Sequence, residues 1–423
     1  MSIAATFLGG AKSRLLPRSI PFRFFAAAAV FHVMMWLGLL IGADEAASFR
    51  GGLGTTLASV HLLTLGILTT TAIGASVQLL PVATRRTLRA VWPIQLIFWL
   101  SVPGLIALTV GMHSAQTSIL IPASAMTALG LLLFCGLLAD NLRRTSSLPA
   151  VGAYGWAALT ALVLVTVLGV TLAINDKVGV LPDHGAVALA HLILGGFGFM
   201  GLLALGFSHI LVPMFALAPA PEKRPSFISF AIASTAVFLG TLGALAGSRT
   251  VLTAAALAGL AAAASHLWLM HRVLESGMRK RLGLSFILVR AAWIMLPATL
   301  VVGLAALYGF AGSNGGTLFG FFLLFGWLLT FLVAILQRIM PFLASMFATP
   351  QASGGTAIVS ELANARSLKL HAACHGLAFA VLVVAILSDN ATVARLGSTI
   401  GLIGALAFAW FTADVIRRIL PAN

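Results

Sequence analysis

Charged residues are scarce in this sequence. Only 8% of its 423 residues are Asp, Glu, Lys or Arg, whereas 60% are hydrophobic, and the mean hydropathy is +1.07. A soluble globular domain carries about 25% charged residues, so the composition excludes one. The chain instead contains twelve apolar runs that approach or exceed the roughly 20 residues of a membrane-spanning helix. We therefore predict an all-α integral membrane protein.

The predicted spans define one membrane domain over residues 1–423, because the segments between them are too short to fold separately. Residues 1–20 form an N-terminal segment and residues 348–367 the longest loop on the same side of the membrane. The first run lacks a small-residue cleavage site, so we expect it to be retained as a helix. The predicted spans are approximately 22–42, 55–82, 91–112, 117–139, 152–174, 186–215, 227–246, 250–271, 284–311, 317–347, 368–387 and 393–416.

Cysteine and acidic residues are also few. Cys135 and Cys374 both fall in predicted helices, and a C-x-x-C-H motif is lacking, which excludes a disulfide framework and covalent c-type haem. Asp414 is the main acidic residue within a predicted helix, and Glu361 lies in a loop. An ion-driven transporter would normally carry a carboxylate near mid-membrane, so this shortage argues against one. Motifs for nucleotide binding and serine chemistry are lacking as well.

Basic residues are distributed unevenly between the two sides of the predicted membrane domain. With the N-terminus in the cytoplasm, 19 of the 25 Lys and Arg residues lie in cytoplasmic segments, four lie in outer loops and two lie inside helices. This bias predicts that both termini are cytoplasmic in a bacterial-type inner membrane. The net charge of +15 therefore indicates topology and contact with the lipid bilayer, and not nucleic-acid binding, because the charges occupy helix ends instead of one patch.

The second, sixth and tenth predicted helices share a pattern that ends in proline. Glycine occurs fifteen residues before the proline in all three, and a small residue occurs seven residues before it. Helices that are four apart in order predict three four-helix repeats, whose interfaces often hold sites. Close helix packing is the alternative explanation for the glycines. The matched residues are Pro81, Pro213 and Pro341; Gly66, Gly198 and Gly326; and Gly74, Gly206 and Ala334.

Histidine, by contrast, is well represented at membrane depth. Ionisable groups there are costly and tend to be functional, and neutral imidazole is a common ligand of metals and haem. We predict cofactor binding by five histidines and metal binding by an overlapping five, whereas the catalytic residues stay undefined. The cofactor candidates are His61, His191, His32, His371 and His375; the metal candidates are His61, His191, His209, His371 and His375.

Four other histidines have simpler expected environments. His113 and His184 lie at outer helix ends, where water can solvate them. His266 and His271 approach the inner end of the eighth helix, and an interfacial role is expected for His271. For any one buried histidine, a hydrogen bond between helices is the alternative to a ligand role.

Two segments of the sequence resemble a known superfamily. The phrases "HLLTLGILTTTAIG" and "AHLILGGFGFMG" are similar to the histidine-glycine helices of the heme-copper oxidase catalytic subunit. The twelve helices and three repeats are similar too, and the smaller relative that the chain most resembles is the NnrS family of membrane haem and copper proteins. The resemblance implies haem b, leaves copper open as a second cofactor, and implies nitric oxide or another small gas and a redox partner.

The departures from that superfamily matter. The run 317–347 lacks the histidines of the oxidases' tenth helix, and the run 227–246 lacks the copper ligands of their seventh. Only His61 and His191 can be carried over, so the resemblance implies a divergent haem protein in nitric-oxide stress or electron transfer, and not an ordinary oxygen reductase. Whether it is a haem-dependent oxidoreductase stays open. The alternative is a transporter or accessory subunit with structural or proton-relay histidines.

One local expectation concerns the helix that begins near His191. Gly195, Gly196 and Gly198 follow this histidine closely and remove side chains from the helix surface. We expect them to leave room for a flat macrocycle. His191 is therefore predicted to be a ligand instead of a packing group, with His61 as its counterpart.

Overall fold

The computed structural model describes residues 14–145, 148–347 and 364–419. Within these ranges, twelve helices are long and apolar enough to cross a membrane. The predicted all-α, multi-pass membrane architecture is therefore confirmed. In chain order the helices are α1 Ser19–Ile41, α2 Thr55–Thr84, α3 Trp92–His113, α4 Thr117–Arg143, α5 Pro149–Val178, α6 His184–Ala216, α7 Lys223–Leu245, α8 Arg249–Ser276, α9 Leu284–Leu307, α10 Gly315–Phe347, α11 Ala365–Ser388 and α12 Ala391–Ile419.

The predicted spans match these helices to within a few residues. The largest difference is at the end of α8, which was expected at residue 271 and lies at Ser276. The helix α9 was expected to reach residue 311 and ends at Leu307. Gly309 and Gly312 have φ values of 80° and 70°, and this left-handed conformation ends a helix. The N-terminal segment 1–20 and the loop 348–367, with Glu361, lie largely outside the described residues.

The three proline-containing helices form the centre of the bundle. Of the twelve spans, α2, α6 and α10 are the most buried. The middle of α10 contacts the middle of both α2 and α6. The remaining helices lie around them in three groups: α3 to α5, α7 to α9, and α11, α12 and α1. A helix that is apolar on all sides is expected at such a central position.

Each central helix contains one π-helical segment. All three segments are eight residues long and end twelve residues before the proline of their helix, so they occupy equivalent positions. A π segment adds a residue to the helical turn and is frequent at functional sites. This match supports the three repeats predicted from the prolines. The segments are Leu62–Thr69 in α2, Leu194–Gly201 in α6 and Phe322–Leu329 in α10.

Threonine hydroxyls bond to carbonyl groups that the π segments leave out of the α-helical pattern. Thr69 and Thr70 donate to the carbonyl oxygens five residues earlier in α2, at 2.8 and 2.9 Å. Thr330 donates to the carbonyl oxygen of Phe325 in α10 at 2.9 Å. Buried carbonyls need such partners in a membrane, where water does not supply them.

The helices α2 and α6 also end in the same way. The fourth residue after each proline, Arg85 or Leu217, has a left-handed conformation with φ of 57° or 54°. The backbone N–H of the following residue donates to the carbonyl oxygen of the proline. The distance is 3.1 Å from Arg86 in α2 and 2.9 Å from Ala218 in α6. By contrast, α10 continues to Phe347. The repeat is therefore closest between the first two units.

The matched glycines serve helix packing. A Cβ atom added at any of the three would lie 2.8 to 3.1 Å from a side chain of a neighbouring helix. This is tighter than ordinary van der Waals contact, so glycine allows the central helices to approach their neighbours closely. The contacts are Gly66 with Phe31, Gly198 with Ala161 and Gly326 with Phe379.

Candidate cofactor-binding site

A large cavity opens among α2, α5, α6 and α10 toward the side of the bundle at which α1 ends and α2 begins, here called the distal side. Its volume is about 690 Å³, within the range of roughly 300–1,000 Å³ that small-molecule and cofactor sites occupy. Most lining side chains are apolar. The rim carries polar residues, among them Arg50, Asp176 and Thr317. Such a cavity fits a ligand with an apolar body and a polar edge.

The π segments place two histidines in the wall of this cavity. His61 comes directly before the π segment of α2, and His191 lies three residues before the π segment of α6. Both side chains are half-buried and line the cavity. Their ring centroids are 6.4 Å apart and their planes differ by 30°. The structure thus brings together the two histidines that the family resemblance singled out.

A backbone hydrogen bond sets the orientation of the His61 ring. Its Nδ1 atom lies 3.0 Å from the carbonyl oxygen of Leu57. Because a carbonyl oxygen only accepts hydrogen bonds, Nδ1 is the protonated nitrogen and Nε2 carries a lone pair. Histidines that bind metals usually donate their other N–H in this manner. His61 is therefore prepared to act as a ligand through Nε2.

The ring of His191 depends on a glycine of the neighbouring helix. A Cβ atom added at Gly169 of α5 would lie 3.0 Å from Cε1 of His191. Any larger residue at this position would push the imidazole away. Gly169 was not recognised from the sequence, because nothing in the local pattern shows which helix faces His191.

The separation of the two rings is compatible with one metal between them. A metal bonded to two imidazoles on opposite sides at about 2 Å each places the ring centroids roughly 6 Å apart. The 6.4 Å separation is close to this value. Gly195 and Gly196 are among the lining residues, but a Cβ atom added at Gly196 would lie 2.7 Å from Leu323. Gly198 packs against Ala161 in the same way. Two imidazoles at this separation beside a cofactor-sized cavity fit the chemistry of a haem site.

The candidates His32, His371 and His375 form a second cluster between α1 and α11. The ring centroids of His32 and His371 are 5.7 Å apart, as are those of His371 and His375. All three are buried. The His32–His371 contact joins α1 to α11, and α12 packs against both of these helices.

Hydrogen bonds determine which nitrogens of this cluster are available. The Trp36 indole N–H donates to Nε2 of His32 at 3.1 Å. The His375 Nε2–H donates to Thr330 Oγ1 at 2.7 Å, since that hydroxyl already donates to a carbonyl. The His371 Nδ1–H donates to the carbonyl of Gly404 at 3.1 Å, so Nε2 of His371 carries a free lone pair.

Only one of the three histidines is therefore ready to bind a metal through Nε2. The Nε2 atom of His371 is buried and has no hydrogen-bonding partner among the described residues, whereas Nε2 of His32 and of His375 are already engaged. A cofactor held by Nε2 of more than one of these histidines would have to break existing hydrogen bonds. The distal cavity is consequently the stronger candidate site.

The last candidate, His209, belongs to a third cluster with a residue that the sequence did not single out. His266 of α8 is fully buried, and its ring centroid lies 5.7 Å from that of His209 on α6. From its place near the end of an apolar run, His266 was expected to approach the interface. Only the packing of α8 against α6 shows that it faces the interior.

In residues 14–145, 148–347 and 364–419, no three His, Cys, Asp or Glu side chains are grouped so as to hold a metal ion. The six candidate histidines instead lie in three separate groups. They are His61 with His191, His32 with His371 and His375, and His209 beside His266. The exposed histidines behave as predicted: His113 bonds to Thr55 at 2.9 Å and His184 to Asn175 at 3.0 Å.

Comparison with known proteins does not add an assignment to this geometry: no family model matches the sequence, and no curated protein matches it.

Proposed function

We propose that this protein is a membrane haem protein of the heme-copper oxidase-like kind, closest to NnrS-like proteins, which acts on nitric oxide or transfers electrons. The facing pair of His61 and His191 in a cofactor-sized cavity is the observation that carries the proposal. We place the protein in a bacterial inner membrane with both termini in the cytoplasm, on the strength of its basic-residue bias. Copper stays open as a second cofactor.

In this proposal the chain holds haem b by the two imidazoles. Bound haem would supply one-electron redox chemistry and an iron atom that binds small gases. His61 and His191 would hold the group through ring nitrogens, and the Leu57 carbonyl keeps Nε2 of His61 free for that role.

The cavity walls would position the ring and separate it from water. Leu65, Phe199 and Leu328 are among the apolar lining residues, and a low-dielectric wall strengthens the electrostatic interactions inside. Arg50 at the rim can pair with carboxylates at the polar edge of the ring. The Gly51–Gly52 turn that follows it adopts φ values of 101° and 96°, which favour glycine.

Haem content measured on single variants tests the proposal. We expect purified wild-type protein to show a Soret band that shifts on reduction with dithionite. His61→Ala and His191→Ala should each lose haem or change the axial-ligand spectrum. His113→Ala serves as the control, since that histidine is exposed and bonds only to Thr55. A colourless wild-type preparation, or unchanged spectra in both variants, would contradict a ligand role.

A transporter or accessory subunit is the second candidate function. The distal cavity and the three π segments favour it, because transporter sites also lie where central helices depart from regular geometry. In this case the histidines would form packing hydrogen bonds or relay protons. Protein that is folded, free of haem and free of metal would support this alternative.

A further inference from the structure

The cluster of His209 and His266 lies apart from the distal cavity. His209, His266 and Trp293 are seven to ten residues from the ends of α6, α8 and α9 on the opposite side of the bundle, which corresponds to roughly 10–15 Å. None of the three lines the distal cavity. Trp293 stands 6.5 Å from His266, and Tyr154 of α5 stands 5.4 Å from His209, between ring centroids.

Four nitrogen atoms of this cluster are buried without a hydrogen-bonding partner among the described residues. They are Nε2 of His209, both ring nitrogens of His266 and Nε1 of Trp293. The exposed fractions of these side chains are 4%, 0% and 6%. An unpaired polar group costs free energy in an apolar surrounding, so these four atoms on three adjoining rings leave hydrogen-bonding capacity that a polar ligand can satisfy.

Hydrogen-bonding capacity shows what kind of ligand fits. His209 donates through Nδ1 to the carbonyl of Leu205 at 2.9 Å, so its Nε2 is an acceptor. A neutral His266 offers one donor and one acceptor, and Trp293 offers one donor. The cluster therefore presents two donors and two acceptors. A ligand that satisfies all four must itself both donate and accept.

A metal ion does not meet this requirement. It could use lone pairs of His209 and His266, but it would leave both N–H groups unpaired. It would also bring uncompensated charge: α6 and α9 have no Asp or Glu, and the carboxylates of α5 and α8, Asp176 and Glu275, are near helix ends. Burying an unpaired ion costs several kcal/mol even after relaxation.

Water meets the requirement. A buried water usually makes about three hydrogen bonds to otherwise unpaired groups, so one or two waters satisfy the cluster without adding charge. We infer that His209, His266 and Trp293 form an internal binding site for water, where His266 exchanges hydrogen bonds with the ligand through both ring nitrogens. This site joins α6, α8 and α9 by polar contacts and does not depend on haem binding in the distal cavity.

Solid-state NMR on the full-length protein in lipid bilayers tests the inference. With 15N-labelled histidine, His266→Phe identifies the His266 signals by their loss. We expect a neutral ring whose two nitrogens are hydrogen-bonded and correlate with water protons, and we expect His209→Phe to weaken that correlation. Absence of any water correlation at His266 would overturn the inference.

Metal analysis is the second test of the inference. Metal content per protein should be equal in the wild type and in His266→Phe, with or without haem. Loss of one equivalent of metal in the variant, or a metal-coordinated nitrogen shift, would overturn the inference. If His266→Phe does not fold, His266→Gln keeps a donor and an acceptor and replaces it both for the signal assignment and for the metal comparison. Failure of haem binding would show in the His61 and His191 variants alone.

Discussion

Gly169 gives a sensitive test of the distal site, because it controls the position of His191 without being a ligand. In Gly169→Ala, the new Cβ atom would lie 3.0 Å from Cε1 of His191. Ordinary contacts begin near 3.4 Å, so the imidazole or α5 must move by a few tenths of an ångström. Metal–ligand distances tolerate about 0.2 Å. The substitution should therefore strain or displace one axial ligand.

The expected effect is modest and measurable. A shift of this size in a packed site costs on the order of 1 kcal/mol, which corresponds to roughly a fivefold loss of haem affinity. Haem titration followed at the Soret band, together with the spectrum of the oxidised protein, measures both consequences. Thermal stability should not fall much, because Ala is favoured over Gly inside a helix by about 1 kcal/mol.

Gly152→Ala is the matched control. Gly152 lies on the same helix, and a Cβ atom added there meets nothing within 4 Å. It should share the gain in helix propensity and leave haem affinity unchanged. Equal haem affinity and equal spectra in Gly169→Ala and wild type would refute the argument that this glycine positions His191.

Three further outcomes are expected. Thr330→Val removes both hydrogen bonds of a buried hydroxyl and should lower the free energy of unfolding by about 1–3 kcal/mol. The control Thr160→Val, at an exposed site, should have little effect. Equal melting curves for the two variants would contradict this expectation. Reporter fusions at the C-terminus should be active for a cytoplasmic reporter and inactive for a periplasmic one, and the reverse would reject the topology. In an experimental structure, superposition of the three four-helix units should align Pro81, Pro213 and Pro341 at one depth, and scattered prolines would make the repeat coincidental.

The sequence alone was enough to predict the twelve spans and their positions. Hydropathy over some twenty residues is a local property, because each backbone polar group of a membrane helix is satisfied within its own segment. The repeated spacing of proline and glycine was also visible, since both residues have strong local effects. The equivalent π segments were not, because an inserted residue shifts the helical register without leaving a distinct local signature.

The grouping of the histidines was decided by tertiary structure. His61 and His191 are 130 residues apart in sequence, and the family resemblance suggested a pair but did not give its separation of 6.4 Å. His266 and Gly169 could not be selected, because the facing helix determines whether a membrane residue contacts lipid, packs or lines a site. Hydropathy specifies that a helix is in the membrane; only the packing of α2, α5, α6, α8 and α10 specifies which side chains meet.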